Sequence, residues 1–182
     1  MRALLVVDYT NDFVADQGSL TAGAPAQALE DTIYDLIADF HSNGDFVVYP
    51  TDLHSADDHY HPENKLFPPH NYADTWGREL YGKLADQYQD IASDDNVYFY
   101  DKRRYSAFAG TDLDIRLRER GIKELYIVGV CTDICVLHTA VDAYNLAYDI
   151  VIPAQAVASF NQAGHEWALD HFKSCLAAKV ID

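Results

Sequence analysis

The sequence predicts an α/β protein built on a mostly parallel, six-stranded sheet with helices on both faces, a three-layer doubly wound arrangement. Three observations lead there. Short apolar runs rich in Val, Ile and Leu alternate with segments whose apolar residues recur every three or four positions. The strand-like runs are apolar throughout rather than alternating, as in strands covered on both faces. Reactive side chains also follow the ends of four of these runs, where open parallel sheets place their ligands. A length of 182 residues fits one domain spanning 1–182.

Ala3–Val7 is the first strand, ending at Asp8, and the segment 1–8 reads as this strand rather than as a signal peptide. Residues 18–25 read as a loop. Leu29, Ile33, Leu36, Ile37 and Phe40 fall at helical spacing within 28–41, and Asn43-Gly44 ends that helix. Phe46–Tyr49 is the second strand and delivers Asp52 and His54. The polar stretch 55–78 follows, with His59, His61, Glu63, His70 and three prolines, Pro62, Pro68 and Pro69. A loop of such length in a compact domain is usually functional. Val97–Tyr100 is the third strand, with Lys102 just beyond it. Thr111 or Asp112 caps a helix that runs to Gly121, and Arg116, Arg118 and Arg120 read as its solvated face. Leu125–Val128 is the fourth strand. Apolar spacing turns helical from Val136 through Ala140, Ala143 and Tyr144, so Cys135 falls at or near a first helical turn. Asp149–Ile152 is the fifth strand, 165–174 a helix, and 177–181 a short sixth strand.

Composition narrows the chemistry. Against 13 basic residues stand 29 acidic ones, a net charge of −16. Nucleic acids and anionic membranes both need basic patches, so neither is expected as a partner. No apolar run approaches the roughly 18–20 residues of a membrane span. Three cysteines without disulfide-type spacing point to a reducing cytoplasm. A small neutral or zwitterionic substrate suits this charge. Neither a GxGxxG nor a P-loop motif supports nucleotide chemistry.

Taken singly, Asp8 reads as a turn cap, Lys102 as a surface cation and Cys135 as a small buried hydrophobe. Their shared address changes that reading, because the C-terminal ends of parallel strands lie along one edge. There Asp8 can take the thiol proton, Lys102 can orient that carboxylate, and Cys135 can attack a carbonyl. Free N–H groups in the first turn of a helix would lower the thiol pKa. The backbone N–H groups of Cys131 and Cys135 could hold an oxyanion. Asp52, His54, Glu63 and His70 supply carboxylate and imidazole donors for one divalent ion, with zinc first and iron or manganese also accommodated.

The chain also resembles a known family along essentially its whole length. The residues concerned are Val7-Asp8 with Asn11-Asp12-Phe13, Asp52-x-His54, the His61–His70 segment, Asp101-Lys102, and Gly129-Val-Cys-Thr-Asp-Ile-Cys135. They resemble the nicotinamidases of the isochorismatase-like cysteine hydrolase superfamily, and the 61–70 and 105–144 segments look especially like the Gram-positive bacterial ones. The resemblance implies the isochorismatase-like hydrolase fold and a triad of Asp8, Lys102 and Cys135. It implies metal ligands Asp52, His54 and His70 with Glu63 as the fourth, while His61 and His59 remain candidates for that place. It further implies a cis peptide at Val130–Cys131 and ring contacts from Phe13, Leu20, Phe67 and Tyr105. Cys131 departs from many relatives and puts a second thiol near the first. The implied activity is hydrolysis of nicotinamide to nicotinic acid and ammonia for NAD salvage, with pyrazinamide also accepted, in a cytoplasmic homo-oligomer. The alternative is a cysteine amidase of the same fold acting on a carbamoyl or ureido substrate. Such relatives usually lack the metal-type cluster.

Overall fold

The structure, a computed structural model, describes all residues from Met1 to Asp182. Its strands are β1 (Ala3–Val7), β2 (Phe46–Asp52), β3 (Val97–Lys102), β4 (Glu124–Val130), β5 (Asp149–Pro153), β6 (Val157–Ala158) and β7 (Lys179–Ile181). Its helices are α1 (Asn11–Val14), α2 (Ala24–Gln27), α3 (Glu30–Ser42), α4 (Lys83–Ile91), α5 (Leu113–Glu119), α6 (Leu137–Asn145) and α7 (Gln162–Leu176). The strands line up as β3-β2-β1-β4-β5-β7, every pairing is parallel, and β6 joins the C-terminal end of β4.

Successive strand residues point to opposite faces, and β1 shows what that requires of its sequence. Ala3, Leu5 and Val7 pack into a core with Leu113 and Leu117 of α5, Ala140 and Ala143 of α6, and Ala168 and Phe172 of α7. Leu4 and Val6 pack into the other core with Ile33, Ile37 and Phe40 of α3 and Leu84 of α4. All five β1 residues are fully buried. An apolar run with no polar alternation is the only pattern that serves both layers.

The sheet has seven strands where six were expected. The additional one, β6, is two residues long and pairs Val157 and Ala158 with Gly129 and Val130. So short a run carries no periodicity to read. Helix α4 was also unanticipated, because Leu84 is its one fully enclosed side chain. The last strand is shorter than 177–181, since Ala177 caps α7 in a left-handed conformation with φ 50°. No helix is long and apolar enough to cross a membrane.

Gly129 on β4 pairs with Val7 on β1. Its φ is 107°, and any Cβ there would run into the Val7 backbone. Gly129→Ala should therefore cost about 3 kcal/mol or more, combining left-handed strain with overpacking. The measurement is the urea midpoint at unchanged m-value, and a midpoint equal to the parent's would refute this close-approach account.

Candidate active site and metal centre

Asp8 directly follows β1, in a left-handed conformation with φ 52°, and is fully buried. Its Oδ1 accepts the Asp52 backbone N–H at 2.8 Å. Its Oδ2 lies 2.8 Å from Lys102 Nζ, an ion pair between two enclosed groups. Lys102, at the end of β3, is enclosed as well, with Nζ 3.1 Å from the Arg104 carbonyl and 3.6 Å from Cys135 Sγ. The β2–β3 register sets Asp52 opposite Lys102, and Asp52 Oδ1 lies 3.5 Å from Nζ. One ammonium thus faces two carboxylates and the thiol.

Burial works against the Lys102 charge, but Asp52 and Asp8 hold its pKa well above the ordinary lysine value. Burial likewise opposes ionisation of Asp52, which Lys102 and His54 nevertheless keep well below the usual carboxylate range. For Asp8 burial prevails and its pKa is raised, with Lys102 pulling the other way. Burial also pushes the Cys135 thiol well above its ordinary value, with Lys102 opposing. This runs against the expected lowering of the thiol pKa, although the expected placement at a helix start holds. Cys135 does lie in the first helical turn, a π-helical one, Thr132–Val136, that runs directly into α6 at Leu137. Burial is the largest cause of that rise, so the thiol would need a base to react, and the Asp8 carboxylate stands beside it.

Asp52, His54, Glu63 and His70 are all buried and can each offer one donor atom, with these atoms within 4.8 Å of one another. His54 Nε2 lies 2.7 Å from Asp52 Oδ2. His70 Nε2 lies 3.6 Å from both Asp52 Oδ2 and Glu63 Oε2. His70 Nδ1 donates to the Pro68 carbonyl at 2.7 Å, which turns Nε2 inward, where it has no hydrogen-bond partner. Burial disfavours a charge on His70, yet Asp52 and Glu63 lift its pKa to about 10. Two carboxylates and an orphaned imidazole nitrogen at one point call for a cation, and the donor set fits a divalent transition ion.

The other two histidines proposed for the fourth place are not among these four, although the His61 ring packs 4.3 Å from that of His54. His61 Nε2 donates to the Arg103 carbonyl at 2.9 Å, and its Nδ1 accepts the Glu63 N–H at 3.3 Å, so both ring nitrogens are engaged. It caps the Pro62–Lys65 turn that brings Glu63 inward. His59 is exposed and stands outside the cluster.

Phe13, Leu20, Phe67 and Tyr105 line one pocket together with Glu63, Cys131, Ile134, Cys135 and Phe160. The Phe13 ring packs edge-on to His70 at 5.3 Å, so the pocket borders the metal-type cluster. Burial and then Glu63 push the Tyr105 hydroxyl up to about 12, leaving it a neutral wall. Val130–Cys131 is cis, as the resemblance implied. Ile134 and Phe160 escaped the sequence reading. The position of Ile134 between the two thiols could have indicated it, whereas Phe160 follows the unreadable β6. A larger groove of about 590 Å³ between α3 and α4 contains none of these groups.

Comparison with known proteins adds the relatives. The isochorismatase domain matches residues 2–182. The crystal structure of nicotinamidase/pyrazinamidase PncA from Bacillus subtilis is 57% identical, covers 100% of both chains and superposes with a TM-score of 0.98. That of the pyrazinamidase/nicotinamidase from Streptococcus mutans UA159 is 54% identical, again with 100% of both chains covered and a TM-score of 0.97. The pyrazinamidase of Pyrococcus horikoshii, solved in complex with zinc, is 28% identical, with a TM-score of 0.85 over 100% of this chain and 98% of that one.

Proposed function

Since the chain belongs to the isochorismatase family, we propose that it hydrolyses nicotinamide to nicotinic acid and ammonia, serves NAD salvage, and accepts pyrazinamide. The observation that carries this reading is one apolar pocket lined by both Cys135 and Glu63, with Asp8–Lys102–Cys135 and Asp52–His54–Glu63–His70 adjoining each other through the Lys102–Asp52 contact. A carbamoyl or ureido amidase would have use for the first set only.

Asp8 Oδ2 takes the Cys135 proton, and the sulfur attacks the carboxamide carbon. The backbone N–H groups of Cys131 and Cys135 receive the oxygen as it becomes negative. Asp8 returns the proton to the departing nitrogen, ammonia leaves, and a thioester remains on Cys135. Asp8 next takes a proton from water as it attacks the thioester, the C–S bond breaks, and Asp8 returns that proton to the sulfur, so that nicotinic acid departs with the thiol restored. Lys102 keeps the Asp8 carboxylate in place and offsets the negative charge at each stage.

Asp52, His54, Glu63 and His70 would hold one divalent ion, with zinc favoured by the donor set and by the Pyrococcus relative. When bound, it supplies a Lewis acid for a heteroaromatic nitrogen lone pair. Phe13 and Phe67 both pack edge-on to His70 and line the pocket beside the cluster, apolar walls that suit an aromatic ring.

The test compares three amides in the zinc-loaded protein. Nicotinamide and pyrazinamide should both release ammonia, while benzamide, lacking the ring nitrogen, should fall on the order of 10²-fold or more in kcat/KM. Chelation should raise the apparent KM for nicotinamide and cut turnover, yet leave Cys135 reactive towards iodoacetamide. Equal kcat/KM for benzamide and nicotinamide would sink the ring-anchoring role. Hydrolysis of an N-carbamoyl amino acid in place of nicotinamide would transfer the chain to the alternative class.

A further inference from the structure

Phe160 combines two properties that no other pocket residue shares. It lines the pocket with both thiols, yet its side chain is 46% exposed, whereas Phe13 is 7% exposed and Leu20, Phe67 and Tyr105 are half-buried. It is thus the wall with open solvent behind it. The cavity it helps to enclose is about 20 Å³, room for roughly one water molecule. A six-membered ring needs more room than that, so a wall side chain must turn aside, and Phe160 is the most exposed of the walls.

Its backbone, by contrast, is fixed to the turn that carries the nucleophile. Ser159 Oγ donates to Asp133 Oδ1 at 2.6 Å and accepts the Asn161 N–H at 3.2 Å. Asn161 Oδ1 accepts the Gly164 N–H at 3.2 Å, and any side chain at 164 would run into Asp133 Oδ2. Thr132 Oγ1 and His165 Nδ1 share a 2.8 Å hydrogen bond. Immediately upstream, Val157 and Ala158 pair with Gly129 and Val130. Residues on both sides of Phe160 are therefore tied to residues within six positions of Cys135.

We propose that Phe160 is a specificity-determining residue, a hinged wall whose bulk limits the pocket to single-ring carboxamides, with the Asp133–Ser159 hydrogen bond as the positioning element that sets its distance from Cys135. The substrate class in this statement rests on the amidase reading above, whereas the wall itself does not.

The test therefore has two arms. In the first, Cys135 of the full chain is alkylated with iodoacetamide or with a bulky N-naphthyl iodoacetamide, and peptide mass spectrometry separates Cys135 from Cys131. Phe160→Ala should raise the bulky reagent's rate about tenfold while the small reagent's rate stays within about twofold, and Phe160→Trp should move the ratio the other way. Ser159→Ala should shift the ratio in the same direction as Phe160→Ala, and by less. In the second arm, kcat/KM for quinoline-3-carboxamide relative to nicotinamide should rise about tenfold in Phe160→Ala. An unchanged reagent ratio in both Phe160 variants, with nicotinamide still hydrolysed by the parent, overturns the wall and spares the amidase reading. A shifted reagent ratio in a protein that hydrolyses no pyridine carboxamide supports the wall and overturns that reading.

Discussion

Cys135→Ala is expected to abolish ammonia release from nicotinamide while leaving the fold intact. The side chain is small and 7% exposed, and truncating it to Cβ removes one sulfur from the pocket wall without orphaning a hydrogen-bonded group. Lys102 keeps Asp8 at 2.8 Å and the Arg104 carbonyl at 3.1 Å in its absence. Circular dichroism and the melting temperature should stay close to the parent's. Cys175 provides the control, because it is an exposed thiol on α7 away from the pocket, and Cys175→Ala should be nearly silent. Substantial turnover in Cys135→Ala would move the nucleophile elsewhere, with Cys131 the first place to look.

The second large effect is loss of the base and its partner. Asp8→Asn keeps the shape and the Asp52 N–H contact but removes the proton acceptor, and kcat should fall on the order of 10²–10⁴-fold. The thiol's raised pKa makes the loss steep, since no thiolate stands ready to react without a base. Lys102→Ala should be as damaging to catalysis and also lower stability, by about 3–5 kcal/mol, because it leaves Asp8 and Asp52 buried without their cation. Rates must accordingly be taken where the variant is fully folded. The two losses should be far from multiplicative, since both residues act through one proton transfer. A double variant whose loss equals the product of the single losses would separate their roles.

Much of this site was legible in the sequence, for a topological reason. Parallel strands ending on one edge bring Asp8, Asp52, Lys102 and Cys135 together whatever the details of packing, and the apolar runs marked those ends clearly. The 55–78 loop showed by residue type the carboxylate and imidazole donors that Glu63 and His70 bring to the cluster. Other features depend on context that local pattern does not encode. Glu63 rather than His61 turns its donor into the cluster, and the 61 ring is engaged by the Arg103 carbonyl, 42 residues away in sequence. The Cys135 pKa is raised because burial outweighs the Lys102 charge, a balance between segments rather than a property of the turn. Helix α4 hid because its surface is mostly polar, and β6 because two residues make no pattern.

The all-parallel sheet also has a bearing on how the enzyme comes into being. Adjacent antiparallel strands can zip up from a hairpin, whereas each parallel pair here waits for an intervening crossover to close its loop. Contacts of high sequence separation dominate, which slows folding and defers the stabilising pairings to late in the process. The four strand ends that build the site meet only when the β3-β2-β1-β4 core is assembled. A nascent or partly unfolded chain therefore carries neither a competent thiol nor a complete ligand cluster, and reactivity arrives with the finished fold rather than ahead of it.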